Sequence, residues 1–236
     1  MATTKNLQAL AHQLGAHPSR LTIWNEGSCA VKLSPTRFAV SARGVNLATL
    51  QEEDLLEYDL APVQELSAQE KTTDEQVAEV IQRPDGRMPA LDVFLYAYFF
   101  SFEGLTYAAH TQPVSINQIL GSPRARQFAD RSISPSEVLG CGSASLLVPY
   151  ADPGLPLARE IRRKMILWRD RYKTSPHHVL LQNHGMIVMD ETPEEILRMT
   201  DMTLKAAEIF IGAAMLGGPV FLTPNNVAQI ELLKES

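Results

Sequence analysis

The chain carries only two cysteines, Cys29 and Cys141, in 236 residues. Two thiols cannot build a disulfide framework, and no cysteine pair stands at metal-ligand spacing. Both read as reduced packing residues of a cytoplasmic protein. Long apolar runs are missing too, since nothing reaches the ~20 residues that span a bilayer. The opening stretch, MATTKNLQALAHQLG, lacks the apolar core of a secretory leader, which gives the same cytoplasmic expectation. Basic charge is scarce: the net charge is -6 and the pI about 5.5. That balance speaks against nonspecific nucleic-acid binding and against anionic membrane surfaces. Neither a G-x-G-x-x-G nor a P-loop pattern is present, so no dinucleotide or P-loop site is expected. Internal repeats, low-complexity tracts and a clear linker are absent as well, which gives one domain over residues 1–236.

What is there is an ordinary globular balance, 45% hydrophobic and 20% charged, in a chain long enough to bury a full core. Thr3 or Thr4 caps a first helix with Leu7, Leu10, Ala11 and Leu14 on one face, ended by Gly15. Residues 29–33 and 37–41 read as a β-hairpin around Ser34-Pro35-Thr36. Leu55 to Leu60 reads as a strand, and Thr72 or Thr73 opens a short acidic helix. Residues 90–101 are apolar and aromatic throughout, which marks a buried helix. Leu105 to Thr111 and Ser145 to Val148 read as strands around it, and Leu155 to Tyr172 as an amphipathic helix. Val179–Gln182 and Met186–Met189 are paired strands. Thr192-Pro193-Glu194-Glu195 is a helix start, with Thr as N-cap, Pro at N1 and acids in the first turn. Ile196, Met199, Thr203, Ala206, Ala207 and Phe210 give that helix its buried face. Pro224 opens a last helix. The pattern predicts an α/β fold: a single-domain α/β/α sandwich with a central, mainly antiparallel sheet. The arginines at 124, 126 and 131, and Arg162-Arg163-Lys164, read as solvated helix faces or salt-bridge partners.

Asn183-His184-Gly185 breaks two apolar runs, and the question is what else could meet His184. His12 and His17 belong to the first helix and its end, and His177 and His178 follow Pro176. His110 differs: it closes a strand, and Gln112 two residues on points to the same face. If the strand before His184 is a neighbour, His110, Gln112 and His184 converge. Imidazole suits zinc-type ions, whereas an amide oxygen leans towards magnesium or manganese. Two satisfied core histidines are the alternative.

Four stretches carry a resemblance to the class II aldolase and adducin family. EGSCAVK (26–32) is similar to a G-G-N-x-S-V-K/R loop. FAVSARGVNLATLQEEDLLEYDL (38–60) is similar to F-L-I-T-P-S-G-V followed by L-T-P-E-D-L-V-V-V-D-L. Residues 88–112 resemble P-S-S-E followed by V-V-H-T-H, and LLQNHGMIVMDETPEEI resembles the N-H-G segment. The match runs in order over about residues 5–215. The resemblance implies a metal-dependent lyase that cleaves a small sugar phosphate or hydroxy acid by a retro-aldol step. A divalent metal, zinc first and manganese or magnesium as alternatives, would sit on His110, Gln112 and His184 and stabilise an enediolate. Asp92 would move the proton. Gly27, Ser28, Ser41, Arg43 and Gly44 would hold the anionic end of the substrate. Ring-like tetramers are implied as well, with 217–226 (GGPVFLTPNN) either reaching a neighbour or forming a surface loop.

The chain departs from that pattern at each part of the site. Gln112 replaces the second histidine, Asp92 replaces a glutamate, and Ala90-Leu91 replace paired serines. Ser28 replaces an asparagine, and Arg43 a small hydroxyl residue. These departures leave two further expectations: a related enzyme on a non-phosphorylated acid gripped by Arg43, and a non-catalytic, adducin-like binding or assembly module.

Overall fold

The structure is a computed structural model that describes residues 2–233; residue 1 and residues 234–236 of the expected single domain lie outside the described residues. Seven strands form one sheet: β1 (Ser28–Lys32), β2 (Arg37–Ser41), β3 (Leu55–Asp59), β4 (Tyr107–Thr111), β5 (Leu146–Val148), β6 (His178–Leu181) and β7 (Gly185–Asp190). Their order is β3-β2-β1-β4-β7-β6-β5. Every neighbouring pair is antiparallel except β5 with β6. The parallel pair needs a long crossover, and α8 (Leu155–Tyr172) supplies it.

The remaining helices are α1 (Thr4–Gly15), α2 (Leu60–Ala68), α3 (Asp74–Ile81), α4 (Val93–Phe99), α5 (Val114–Leu120), α6 (Ala125–Asp130), α7 (Pro135–Cys141), α9 (Pro193–Met215) and α10 (Pro224–Leu232). Alternation along the strands divides the core. Tyr107 and Ala109 of β4 join a cluster with Leu7 and Leu10 of α1, Ile116 of α5 and Phe210 of α9. Ala108 joins the opposite cluster, with Val63 of α2, Phe94 of α4 and Ile161 of α8. The result is three layers, α/β/α, with the sheet buried on both faces. Full burial of a Leu such as Leu7 or Leu10 contributes about 2 kcal/mol.

Helix starts fall where the sequence places them. Thr3 accepts from the Asn6 N–H at 3.2 Å, and Thr192 from the Glu195 N–H at 3.3 Å. The helix expected over 90–101 is shorter at both ends. Ala90 lies before the helix, donating its N–H to the Ser41 carbonyl at 2.9 Å. The strand expected to end at Leu60 ends at Asp59, because Leu60 begins α2. Of the segment 217–226, residues 217–223 form a loop packed on its own chain and Pro224 begins α10. The Leu222 N–H donates to the Ser132 carbonyl, and the Arg131 guanidinium lies 4.2 Å from the Phe221 ring centroid. Arg126 pairs with Asp130, as a solvated helix face does.

Candidate functional site

Two glycines let the backbone close in around His110. His110 lies on β4 opposite Ser28 of β1 and Ile187 of β7. Gly27, at φ +81°, packs so close that a Cβ there would stand 2.8 Å from the His110 carbonyl oxygen. Gly185, at φ +90°, would place a Cβ 2.3 Å from the Thr111 carbonyl. Only glycine fits either place. Between β6 and β7, Asn183 takes a left-handed φ of 59°, and the His184 N–H donates to the Leu181 carbonyl at 3.0 Å. This turn carries His184 to the same end of the sheet as His110.

Asp92 precedes the first turn of α4 and turns its carboxylate under β4. His110 Nδ1 lies 2.9 Å from Asp92 Oδ2. The Ser28 hydroxyl donates to that same oxygen at 2.5 Å. The Tyr96 hydroxyl, one helical turn from Asp92, lies 2.7 Å from Ser28 Oγ and donates to the Ser28 carbonyl at 3.1 Å. On its other side, His110 Nε2 lies 2.8 Å from the backbone carbonyl of His184. A carbonyl only accepts, so Nε2 carries a hydrogen. Asp92 is 7% exposed and His110 3%.

Burial alone would push the His110 imidazole down, but the facing Asp92 charge and its hydrogen bonds turn the net shift upward. For Asp92, burial pushes the carboxyl up, and His110 together with Ser28 pulls it below the usual carboxylate range. Both shifts favour an imidazolium–carboxylate pair. Tyr96 is held well above its ordinary value by burial and then by the Asp92 charge, so it stays a neutral donor.

The two histidine rings lie 5.1 Å apart, centroid to centroid, at 30°. Burial, and then the charge on His110, lowers the His184 pKa. The His184 ring is therefore neutral, and it is half-buried. Among the described residues it has no hydrogen-bond partner, whereas His110 has both nitrogens taken. The Asp92 Oδ1 likewise accepts from no described residue.

The other expected residues are divided. Gln112 stands beside the turn, its Cγ 3.0 Å from where a Gly185 Cβ would be. Ser41 is buried, and its hydroxyl accepts from the Cys29 N–H at 3.2 Å. Arg43 and Gly44 are exposed on the following turn, tied to the 88–92 segment by the Arg43 N–H donating to the Met88 carbonyl at 2.8 Å. Thus Gly27, Ser28, Asp92, His110 and His184 come together. Ser41 is turned into the structure, and Arg43 with Gly44 lies on the exposed turn beside residues 88–92. Tyr96 is the member that sequence reasoning missed. Its signal was there: a hydroxyl in a fully apolar helix, four residues from Asp92 and so on the same face.

His178 is buried elsewhere, its Nδ1 2.9 Å from Ser145 Oγ, and His177 pairs with Asp190 at 2.6 Å. Burial pushes the Cys29 thiol up to about 12, as befits a packing residue. A groove of about 800 Å³ opens at the opposite end of the sheet, between α1, the β1–β2 turn and Glu191–Glu194. It touches no member of the His110 cluster.

A divalent ion needs deprotonated ligands with lone pairs aimed at one point. His110 offers none, and position 112 supplies a neutral amide in place of an imidazole. Among the described residues no group of three or more His, Cys, Asp or Glu stands in ligand geometry. The donor set in this arrangement does not fit the ion that the resemblance implies.

A sequence profile described as the Class II Aldolase and Adducin N-terminal domain matches residues 5–211. The chain is 22% identical over 223 residues to a Bacillus subtilis (strain 168) protein named Uncharacterized oxidoreductase YuxG, covering 88% of this chain and 30% of that one. The chain thus spans about a third of the length of this curated relative. Its fold is similar to that of an L-fuculose 1-phosphate aldolase, with a TM-score of 0.71 at 15% identity, covering 100% of this chain and 97% of the other. It is also similar to YgbL of Klebsiella pneumoniae, titled a putative aldolase/epimerase/decarboxylase, with a TM-score of 0.71 at 18% identity over 98% and 100% of the two chains. A class II aldolase domain from Thermoplasma acidophilum gives 0.68 at 19% identity, over 89% and 94%.

Proposed function

The chain belongs to the class II aldolase and adducin family, and on that premise we propose that it is a divergent aldolase-type lyase. Its substrate in this reading is a small hydroxy acid or sugar phosphate, cleaved beside a carbonyl. The observation that carries the reading is the pair of groups left free at one end of the sheet: Asp92 Oδ1 and the neutral His184 ring, both anchored through His110. Family members typically depend on a divalent metal; the donors here do not fit one, so the chemistry falls to the chain's own residues.

Ionised Asp92 takes the proton of the substrate hydroxyl at Oδ1 as the carbon–carbon bond breaks. The bond electrons move onto the carbonyl, and the resulting enediolate recovers that proton at carbon from Asp92. The ring N–H of His184 donates to the carbonyl oxygen where negative charge grows. The His110 charge, fixed behind both, favours the same distribution. Arg43 on the exposed turn meets the anionic end of the substrate. Where the family pattern has paired serines for phosphate, Ala90 and Leu91 offer no hydroxyl, which favours a carboxylate there.

The same reading makes the protein a cytoplasmic homo-oligomer, a tetramer. Trp24, Leu91, Val114 and Tyr150 are exposed apolar side chains on segments that leave the His110 end of the sheet, where a neighbour would cover them. Among the described residues no helix is long and apolar enough to cross a membrane.

The test is a cleavage screen of hydroxy acids and sugar phosphates with aldehyde detection. Asp92→Asn and His184→Ala should each lower kcat by about 10²–10⁴. Turnover undiminished in both variants would remove the reading. A second reading, an adducin-like binding or assembly module, is favoured by the internal use of the Ser28, Ser41 and Tyr96 hydroxyls. No turnover on any substrate by the intact oligomer would select it.

A further inference from the structure

We propose that this chain excludes a divalent ion from the place its histidines mark, because a fully hydrogen-bonded His110 takes that place. Both ring nitrogens of His110 have their lone pairs or hydrogens committed. His110 Nε2 faces the His184 carbonyl at 2.8 Å, and two acceptors cannot share a contact without a hydrogen between them. Nδ1 faces Asp92 Oδ2 at 2.9 Å, an oxygen that already accepts from Ser28. Whichever partner holds the proton between Nδ1 and Oδ2, the Nδ1 lone pair is spent on it.

Freeing Nε2 for an ion would strand the His184 carbonyl, and that carbonyl cannot swing away freely. It belongs to the Asn183–Gly185 turn, which Gly185 locks against Thr111 with no room for a Cβ. The turn that aims the His184 ring is therefore the turn that occupies His110. The two histidines cannot both turn to one ion while it stands. What remains is one imidazole and the Gln112 amide, too few strong ligands for a zinc-type site. This holds for a lyase and for a binding module alike, so it stands apart from the functional reading.

The test uses the full chain, dialysed in turn against zinc, manganese and magnesium. Elemental analysis should find no more ion retained than by the His110→Ala/His184→Ala variant. Nitrogen-15 imidazole spectra of the unaltered protein should show His110 protonated at Nε2, unchanged by excess zinc; this readout needs no variant to fold. Gln112→His should retain no more zinc than the parent. About one ion per chain, lost on His184→Ala, would overturn the proposal. So would disappearance of the His110 Nε2 proton on adding zinc. Stoichiometric zinc in Gln112→His would overturn it too, by placing the exclusion on the missing imidazole. Failure of the cleavage screen touches none of these outcomes.

Discussion

His110 donates from Nε2 to the main-chain carbonyl of His184 at 2.8 Å, so the two histidines are coupled through a peptide group. Their rings stand side by side, 5.1 Å apart, but in different surroundings. His110 is buried with both ring nitrogens hydrogen-bonded; the half-buried His184 ring has no hydrogen-bond partner among the described residues.

Asp92→Asn should therefore act first on His110. The amide keeps the shape but loses the counter-charge, and a buried imidazolium without it is costly. Stability should fall by about 3 kcal/mol in urea unfolding, and His110 should titrate lower than in the parent by imidazole NMR. An unchanged His110 titration would show that Asp92 is not its partner in solution.

Gly185→Ala should damage the site and the fold together. The added methyl meets the Thr111 carbonyl at 2.3 Å in a backbone of φ +90°. A loss of about 2 kcal/mol or more is expected, measured by thermal or urea unfolding. Any activity should drop as the turn shifts His184. Parent-like stability would mean that the turn is looser than described.

Tyr96→Phe should cost about 1 kcal/mol. It removes the hydroxyl next to Ser28 Oγ and leaves the Ser28 carbonyl without that donor. Chemical denaturation checks the loss. Ser28→Ala combined with Tyr96→Phe should lose less than the sum of the singles, since both act on one network.

Acid stability should follow His178. Burial lowers its pKa to about 4, whereas the unfolded residue titrates near 6.5. Between these values the unfolded chain holds the extra proton, so stability rises with pH. About 3 kcal/mol should be lost on going from pH ~6.5 to ~4. Asp92, with its lowered value, and His110, with its raised value, hold their contributions constant across that window. The Asp92 contribution fades only at lower pH, as its carboxyl protonates. The His110 contribution fades only as pH climbs through its raised value. His178→Gln should flatten the slope; an unaltered slope in that variant would assign it to another group.

Long periodic stretches were legible in the sequence. The α1 and α9 faces, their Thr caps and the strands around Asn183-His184-Gly185 all stand where patterning places them. The short helices α2, α5, α6 and α7 were not, because six to nine residues give too few turns for a 3.6-residue period to show. At the site, the convergence of His110 and His184 was readable from strand logic. The use of the His184 carbonyl was not, since a main-chain acceptor has no letter of its own. Nor was the consumption of the Ser28 hydroxyl by Asp92, which depends on the register of β1 against β4 and on where α4 begins.

Ser28, Asp92, His110 and His184 arrive from four separate segments of the chain, and β1 must find β4 some eighty residues downstream. None of the four can be assembled by a local hairpin. During synthesis the cluster must wait until β7 has left the ribosome, so no shorter nascent chain assembles it. In the finished molecule the same arrangement ties the cluster to the cooperativity of the sheet. The state that keeps the histidines together is the state in which the whole sheet is closed.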